Sequence, residues 1–160
     1  MDLTVTLHEQ FMRLALKEAH LAYTQGEVPI GAILIDEQDE VLGKGHNQRE
    51  LWRSPLAHAE MIAIEEAARR KGGWRLQGCT LYVTVEPCVM CAGAVQLSRI
   101  DRLVFGAANP KGGAIVSSLA LYDIPTMNHY PLITTGILAD ECGMMMQDFF
   151  RSRRRDRHDN

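Results

Sequence analysis

The chain has 160 residues, of which 46% are hydrophobic and 23% charged, and its formal net charge is -3. This balance is typical of an ordinary globular domain and excludes collagen-like and low-complexity chains, while any basic surface for nucleic acid must be local. No stretch is long and apolar enough to cross a membrane, and the first residues lack the basic and apolar regions of a signal peptide. We therefore expect one domain over residues 1–160, located in the cytoplasm.

The first half of the chain predicts two helices around a β-hairpin. Apolar residues recur at helical spacing from Leu7, a capping box of Thr6 and Glu9 predicts where this helix begins, and Gly26 predicts its end. Apolar runs separated by a polar turn predict two antiparallel strands. The predicted elements are a helix ending near Gln25, strands over 28–36 and 41–45, and a helix over 57–72.

The second half alternates strands with helices. The predicted elements are strands over 80–86, 101–107 and 130–136 and helices over 88–99 and 138–157, with about residues 155–160 expected to fray. A strand, a short apolar helix and a strand in close succession predict a parallel crossover. The whole pattern predicts an α/β fold with a mixed sheet and helices on both of its faces.

Four cysteines occur, and in a chain of this kind metal binding or catalysis is favoured over disulfides. Cys88 and Cys91 are three residues apart at the start of a predicted helix, which puts both sulfurs on one face. Free N–H groups and the helix dipole there favour thiolates, the form that binds zinc, and Pro87 suits the helix entry. We interpret Cys79 and Cys142, which are isolated, as buried small hydrophobic residues.

The Cys-x-x-Cys pair alone leaves a metal site, a redox pair and two core cysteines as alternatives. His58 and Glu60, at the predicted start of another helix, favour the metal. One histidine and two thiolates give zinc three protein ligands and leave a fourth position for water, which is typical of a catalytic site. Residues two apart on a regular helix point in nearly opposite directions, so His58 and Glu60 can converge only at the helix start. Glu60 is then the candidate for moving the protons of that water.

These two motifs, HAE at 58–60 and PCVMC at 87–91, resemble the signature of the zinc-dependent cytidine deaminase superfamily. The segments GEVPIGAI, VFGA, MNH and GILADEC extend the resemblance over nearly the whole chain, to the bacterial tRNA-specific adenosine deaminases. The resemblance implies a three-layer α/β/α fold with a mixed five-stranded sheet, and a homodimer. It implies hydrolysis of adenosine to inosine at the wobble position of a tRNA anticodon, where activated water attacks C6. His58, Cys88 and Cys91 match the zinc ligands, and Glu60 matches the proton shuttle.

The resemblance also implies contacts with the anticodon stem-loop. Asn47 matches a position whose side chain hydrogen-bonds the flipped base, and Asn128 lies in a segment that borders the RNA path in relatives. A turn asparagine is the alternative for each. The predicted substrate-binding residues are Asn47, Ala59, Asn109, Lys111, Asn128, Arg151, Arg153 and Arg154.

The C-terminal arginines follow MMMQDFF, which has the apolar content to dock a helix. A docked helix would hold Arg151, Arg153 and Arg154 beside a phosphate backbone, although a solvated face is the alternative.

Asn109 stands where relatives usually carry aspartate. A carboxylate can accept hydrogen bonds from ribose 2′-hydroxyls and repels phosphates, whereas asparagine keeps the size and loses the charge. Our hypothesis is that Asn109 tolerates deoxyribose, so that the chain acts on adenine in single-stranded DNA. Harmless loop variation is the alternative.

Three other functions compete with tRNA deamination. A deaminase of free guanine, cytosine or a nucleoside needs the same zinc and glutamate. A catalytically silent RNA-binding subunit is disfavoured because Glu60 is present. A thiol redox protein would use Cys88 and Cys91 without a metal.

Overall fold

Helices and strands alternate along residues 3–159, the part of the chain that the computed structural model describes, with side chains described from residue 5. The helices are α1 (Leu3–Thr24), α2 (Ala59–Lys71), α3 (Val89–Leu97) and α4 (Ala139–His158), and a 3₁₀ turn covers Leu121–Asp123. The strands are β1 (Gly31–Ile35), β2 (Val41–His46), β3 (Thr80–Val85), β4 (Arg102–Ala107) and β5 (Leu132–Thr135). Within the described residues, no helix combines the length and the apolar character needed to span a membrane.

The strands form one mixed sheet in the order β2-β1-β3-β4-β5. The β1 strand is antiparallel to both β2 and β3, whereas β3, β4 and β5 run parallel. The predicted five-stranded mixed sheet and the crossover through α3 are therefore confirmed. In β3 and β4 nearly every residue is buried, as expected of parallel strands covered on both faces.

Two apolar clusters lie on opposite faces of the sheet and make the fold three-layered. One contains Leu81 and Val83 of β3 together with buried residues of α2 and α3. The other contains Tyr82 of the same strand, Met12 of α1 and Cys142 of α4. Because successive side chains of a strand point to opposite faces, neighbouring residues of β3 serve both layers.

Glycines in β2 allow α2 to lie directly on the sheet. A Cβ atom at Gly43 would stand 2.1 Å from the carbonyl oxygen of Ala63, and one at Gly45 would stand 2.2 Å from that of Ala59. Neither contact is sterically possible, so both positions require glycine. The close approach fixes the position of the N-terminal end of α2, where His58 and Glu60 lie.

One predicted helix limit is wrong. Residues 3–5 are already helical, so Thr6 and Glu9 lie inside α1; the local capping signal is overridden by continued helix hydrogen bonding. The predicted end of the last helix agrees with the structure, since α4 continues to His158 and the Asp159 N–H donates to the Arg155 carbonyl at 3.1 Å, and fraying of residues 155–160 stays a prediction. Basic residues in the last turn of α4 stabilise it, because their positive charges interact favourably with the negative end of the helix dipole. Asn160 lies outside the described residues.

Candidate metal centre and active-site groove

The structure brings His58, Cys88 and Cys91 together at the N-terminal ends of two helices. His58 Nδ1 lies 3.7 Å from Cys88 Sγ and 3.6 Å from Cys91 Sγ. One ligand atom from each residue lies within 4.8 Å of the others. One imidazole nitrogen and two sulfurs form a donor set that suits zinc, so these residues fit the ion that the sequence motifs imply.

His58 and Glu60 converge because His58 precedes the regular helix. His58 is the N-cap of α2, with extended backbone angles of φ -85° and ψ 148°. Cys88 is likewise the N-cap of α3, with φ -73° and ψ 176°. Glu60, in the first turn of α2, is only 4% exposed and lines the same groove as His58 and Cys88. The constraint noted for residues two apart on a helix is thus met by the cap geometry.

Proton positions in this cluster are linked. The hydrogen bond with Cys91 lowers the pKa of Cys88 to about 3, helped by His58. The same bond and burial raise the pKa of Cys91. The hydrogen bond with Cys88 raises the pKa of His58, and burial raises that of Glu60. Metal binding to such a set displaces the protons from its ligand atoms.

Asn47 links the β2 end to the start of α2. Its Oδ1 accepts a hydrogen bond of 2.9 Å from the Ala59 N–H, and Asn47 is 3% exposed. Because the partner is an N–H, the amide orientation is determined, and Nδ2 remains available as a donor at the groove that Asn47 lines. Ala59 itself is fully buried and is not among the lining residues.

A groove of about 1240 Å³ runs over the cluster. His58, Glu60 and Cys88 line it, and this volume exceeds the roughly 300–1,000 Å³ of ordinary small-molecule pockets. Its cationic lining residues are Arg49, Lys111, Arg151, Arg153, Arg154 and Arg157. The groove therefore suits an extended anionic substrate that delivers one group to the cluster.

The C-terminal helix is docked by its apolar residues. Phe149 is buried and meets Tyr23 of α1 edge-on at 5.7 Å, while the Tyr23 hydroxyl donates to the Asp148 carboxylate at 2.8 Å. Arg153 lies over the Phe149 ring at 5.0 Å and donates to the Gly26 carbonyl. Arg153 consequently holds the helix as well as lining the groove.

Asn109 is engaged in its own loop. Its Oδ1 accepts a hydrogen bond of 3.2 Å from the Gly112 N–H, so its Nδ2 group is what remains for a substrate. Asn109, Pro110 and Lys111 are all among the residues that line the groove.

Asn128 is not brought to the groove. Its neighbour His129 contacts the Ile100 carbonyl at 2.6 Å, before the N-terminal end of β4, whereas the groove is lined by Val85 and Ala107 at the opposite strand ends. Substrate contact by Asn128 or by Ala59 stays a prediction.

Sequence reasoning missed Arg49, Phe150 and Arg157. The spacing of Phe150, Arg153, Arg154 and Arg157 places them on one face of α4, and that signal could have identified Arg157. Arg49 lies in a turn whose course no periodicity reveals. Cys79 and Cys142 are free and buried, as the sequence indicated.

Residues 5–107 match the family model of the cytidine and deoxycytidylate deaminase zinc-binding region. A tRNA-specific adenosine deaminase of Bacillus subtilis is 48% identical over 151 residues, which cover 94% of this chain and 93% of the relative. One of Haemophilus influenzae is 46% identical over 149 residues, covering 93% and 86%.

Solved structures agree with these sequence matches. A structure from studies of A-to-I editing by tRNA:A34 deaminases at the wobble position of transfer RNA has a TM-score of 0.82 and 41% identity, covering 85% of this chain and 98% of the other. A guanine deaminase from Bacillus subtilis has a TM-score of 0.60 and 32% identity, covering 63% and 64%.

Proposed function

The chain belongs to the cytidine and deoxycytidylate deaminase family, and from this membership we propose that it hydrolyses adenosine to inosine at the wobble position of a tRNA anticodon. The family resemblance and the fold that it implied are confirmed. One observation carries the proposal: the buried Glu60 carboxyl lies beside the His58–Cys88–Cys91 cluster in a groove lined by six cationic side chains.

Glu60 carries out the proton transfers of the reaction. When bound by His58, Cys88 and Cys91, zinc supplies a Lewis acid that lowers the pKa of water to about 7. Glu60 is not one of the three donors, so its carboxylate is free to accept a proton from the attacking water. It then delivers the proton to the purine ring as C6 becomes tetrahedral, and assists the amino group to leave as ammonia. The balance is adenosine plus water to inosine plus ammonia.

The target base is held by groups of this chain around the cluster. Oδ1 of Asn47 already accepts the Ala59 N–H, so the side chain offers the substrate its Nδ2 group, a donor that suits an acceptor nitrogen of the purine ring. The base must leave its stack to reach the cluster, since the enzyme acts on atoms within the ring.

The groove binds the flanking nucleotides. Arg151 and Arg154 on α4 and Lys111 of another segment line the groove, and this supports pairing of their charges with phosphates that flank the extruded nucleotide. Single-stranded anticodon loops allow such extrusion at low cost, which favours a tRNA loop over a duplex.

One zinc ion per chain and a cytoplasmic location complete the proposal. The single ion follows from one three-donor cluster among the described residues, and the location follows from a substrate that serves translation.

A homodimer is supported by exposed apolar side chains around α3. Val89 and Leu97 are 57% and 66% exposed, and Val116 is 63% exposed. The segment after Val116 lies beside α3, since the Tyr122 hydroxyl donates to the Ala92 carbonyl at 2.8 Å. Exposed apolar groups of this kind mark association surfaces. Light scattering should give twice the chain mass, and a Leu97→Glu variant should shift toward the monomer.

The deciding experiment compares substrates. Wild-type protein with bound zinc should convert a tRNA anticodon stem-loop, and Glu60→Ala should not. Conversion of free guanine or cytosine in place of the stem-loop would favour the free-base alternative. A protein that holds zinc and binds the RNA but releases no ammonia would be a catalytically silent subunit. A protein without zinc whose Cys88 and Cys91 undergo reversible oxidation in a redox titration would be a redox protein.

A further inference from the structure

Glu86 is a buried carboxylate next to the metal cluster, and the deamination chemistry assigns it no task. It follows directly after β3 and precedes Cys88 by two residues, and it is 2% exposed. Its N–H donates to the Ala107 carbonyl at 2.8 Å, which continues the pairing of β3 with β4. A buried carboxylate is costly unless hydrogen bonds compensate for the loss of water, so its partners indicate what it does.

Among the described residues, the hydrogen-bond donors to this carboxylate belong to residues 109–117, here named the 109–117 loop. Oε1 accepts from the Asn109 N–H at 3.2 Å and from the Ser117 hydroxyl. Oε2 accepts from the N–H groups of Ile115, Val116 and Ser117 at 3.1, 2.9 and 3.0 Å. Three consecutive N–H groups that converge in this way form a nest that favours an anion. The carboxylate thereby ties the two ends of the loop to each other.

The loop backbone lies against the carboxylate. A Cβ atom at Gly113 would stand 2.3 Å from the Glu86 carboxyl carbon, a distance that no real side chain could adopt. The adjacent Ala114 N–H donates to the Pro87 carbonyl at 2.9 Å. The loop is therefore attached to the same two residues that lead into Cys88.

Only one part of this loop faces the groove. Asn109, Pro110 and Lys111 line it. Glu86 also borders the groove, but it is 2% exposed and both of its carboxylate oxygens accept hydrogen bonds from the loop, one of them from the Asn109 N–H. We propose that Glu86 is a positioning residue for substrate binding, which sets where Asn109 and Lys111 stand relative to the metal cluster. The inference rests on the proposed function, because its main readout is deamination of RNA.

Glu86→Gln separates positioning from chemistry. Glutamine keeps the shape, but its NH₂ group must face N–H or O–H donors at one of the two oxygen positions. If the amide oxygen stays with residues 115–117, the Asn109 end loses its acceptor. We expect KM for the anticodon stem-loop to rise about three- to tenfold with kcat within about twofold and zinc content unchanged, since ground-state contacts alone are weakened.

A double-mutant cycle with Lys111→Ala tests whether Glu86 acts through this loop. Lys111→Ala should raise KM by about threefold in the wild type and add almost nothing in the Glu86→Gln background, because the lysine is already misplaced. Glu27→Gln is the matched control. Glu27 is a carboxylate with 3% exposure that accepts from the Glu50 and Leu51 N–H groups on another loop. In the double variant of Glu27→Gln and Lys111→Ala, the fold-change in KM should equal the product of the two single fold-changes.

Gly113→Ala provides a second route to the same state, since its methyl group would push the loop from the carboxylate. It should raise KM as Glu86→Gln does, and Lys111→Ala should add almost nothing in its background. It replaces Glu86→Gln in the double-mutant cycle if that variant fails to fold. A fall in kcat at unchanged KM, or full multiplication of the Glu86 and Lys111 effects, would overturn the inference. A zinc-loaded wild type that leaves RNA unconverted would instead refute the proposed function before any variant is compared.

Discussion

The Asn47 side-chain oxygen accepts the Ala59 N–H at 2.9 Å, directly beside the N-cap residue His58. One asparagine thus satisfies a free N–H at the start of α2 and presents its Nδ2 group to the groove. The bond couples the position of the imidazole ligand to the position of the base-binding amide.

Two substitutions of Asn47 separate these tasks. Asn47→Asp keeps an oxygen for the Ala59 N–H but replaces the donor with an acceptor, so we expect little loss of thermal stability and a fall in kcat/KM of about 10- to 100-fold. Asn47→Ala removes both groups and should also cost about 1 kcal/mol of unfolding free energy. Thermal melts and stem-loop kinetics measure the two effects. Equal stability loss in both variants would show that Asn47 does not cap α2.

Glu60→Gln should abolish turnover without releasing zinc. The amide is nearly isosteric but cannot accept the proton of water, and general acid–base groups contribute about 10²- to 10⁴-fold. Inosine formation and metal analysis of the same preparation test this. A Gln variant that lost its zinc would instead identify Glu60 as a ligand.

Cys91→Ser should remove the stabilisation that the metal supplies. A ligand present at about 100 times its Kd adds roughly 2.7 kcal/mol, which is about 5–10 °C in Tm for a chain of this size. A chelator should therefore lower the Tm of the wild type and leave that of Cys91→Ser unchanged. Cys142→Ser is the control, since Cys142 is equally buried but outside the cluster. A chelator response in Cys91→Ser like that of the wild type would argue against Cys91 as a ligand.

Two adjacent arginines of α4 provide a matched test of RNA contact. Arg154 lines the groove, whereas Arg155 is exposed and is not among the lining residues. Arg154→Gln should weaken stem-loop binding and reduce the slope of log Kd against log salt by about 0.7, the value for one phosphate of a single strand. Arg155→Gln changes net charge equally and should leave the slope nearly unchanged. Equal slopes in the two variants would show that Arg154 contributes only to the overall charge and does not contact a phosphate directly.

The metal cluster could be predicted because its signals are local. Cys88 and Cys91 are spaced for one helix face, and the apolar run of Leu81, Tyr82 and Val83 predicts a strand covered on both sides. Glu86 could not be assigned in this way. Its partners lie 23 to 31 residues away, and its hydrogen bonds depend on how a loop without periodicity returns to the sheet.

The groove shows the same division between local and long-range information. The arginines of α4 are visible as a charge cluster in the sequence, but their separate uses are not. Arg153 is committed partly to the Gly26 carbonyl because α4 packs on the end of α1. Arg49 reaches the groove through a turn whose backbone is held by Glu27. These assignments require the tertiary arrangement.

Asn109→Asp tests how the chain separates RNA from DNA. Because Oδ1 is occupied by the Gly112 N–H, the substitution chiefly replaces the free Nδ2 donor with a charged oxygen acceptor. An acceptor there can bind a ribose 2′-hydroxyl and repels phosphate, so Asp should raise the ratio of RNA to DNA conversion by about three- to tenfold. The measurement compares kcat/KM on matched anticodon-loop RNA and DNA oligonucleotides. Equal RNA-to-DNA ratios in the two proteins would reduce the asparagine to loop variation without effect on sugar selectivity.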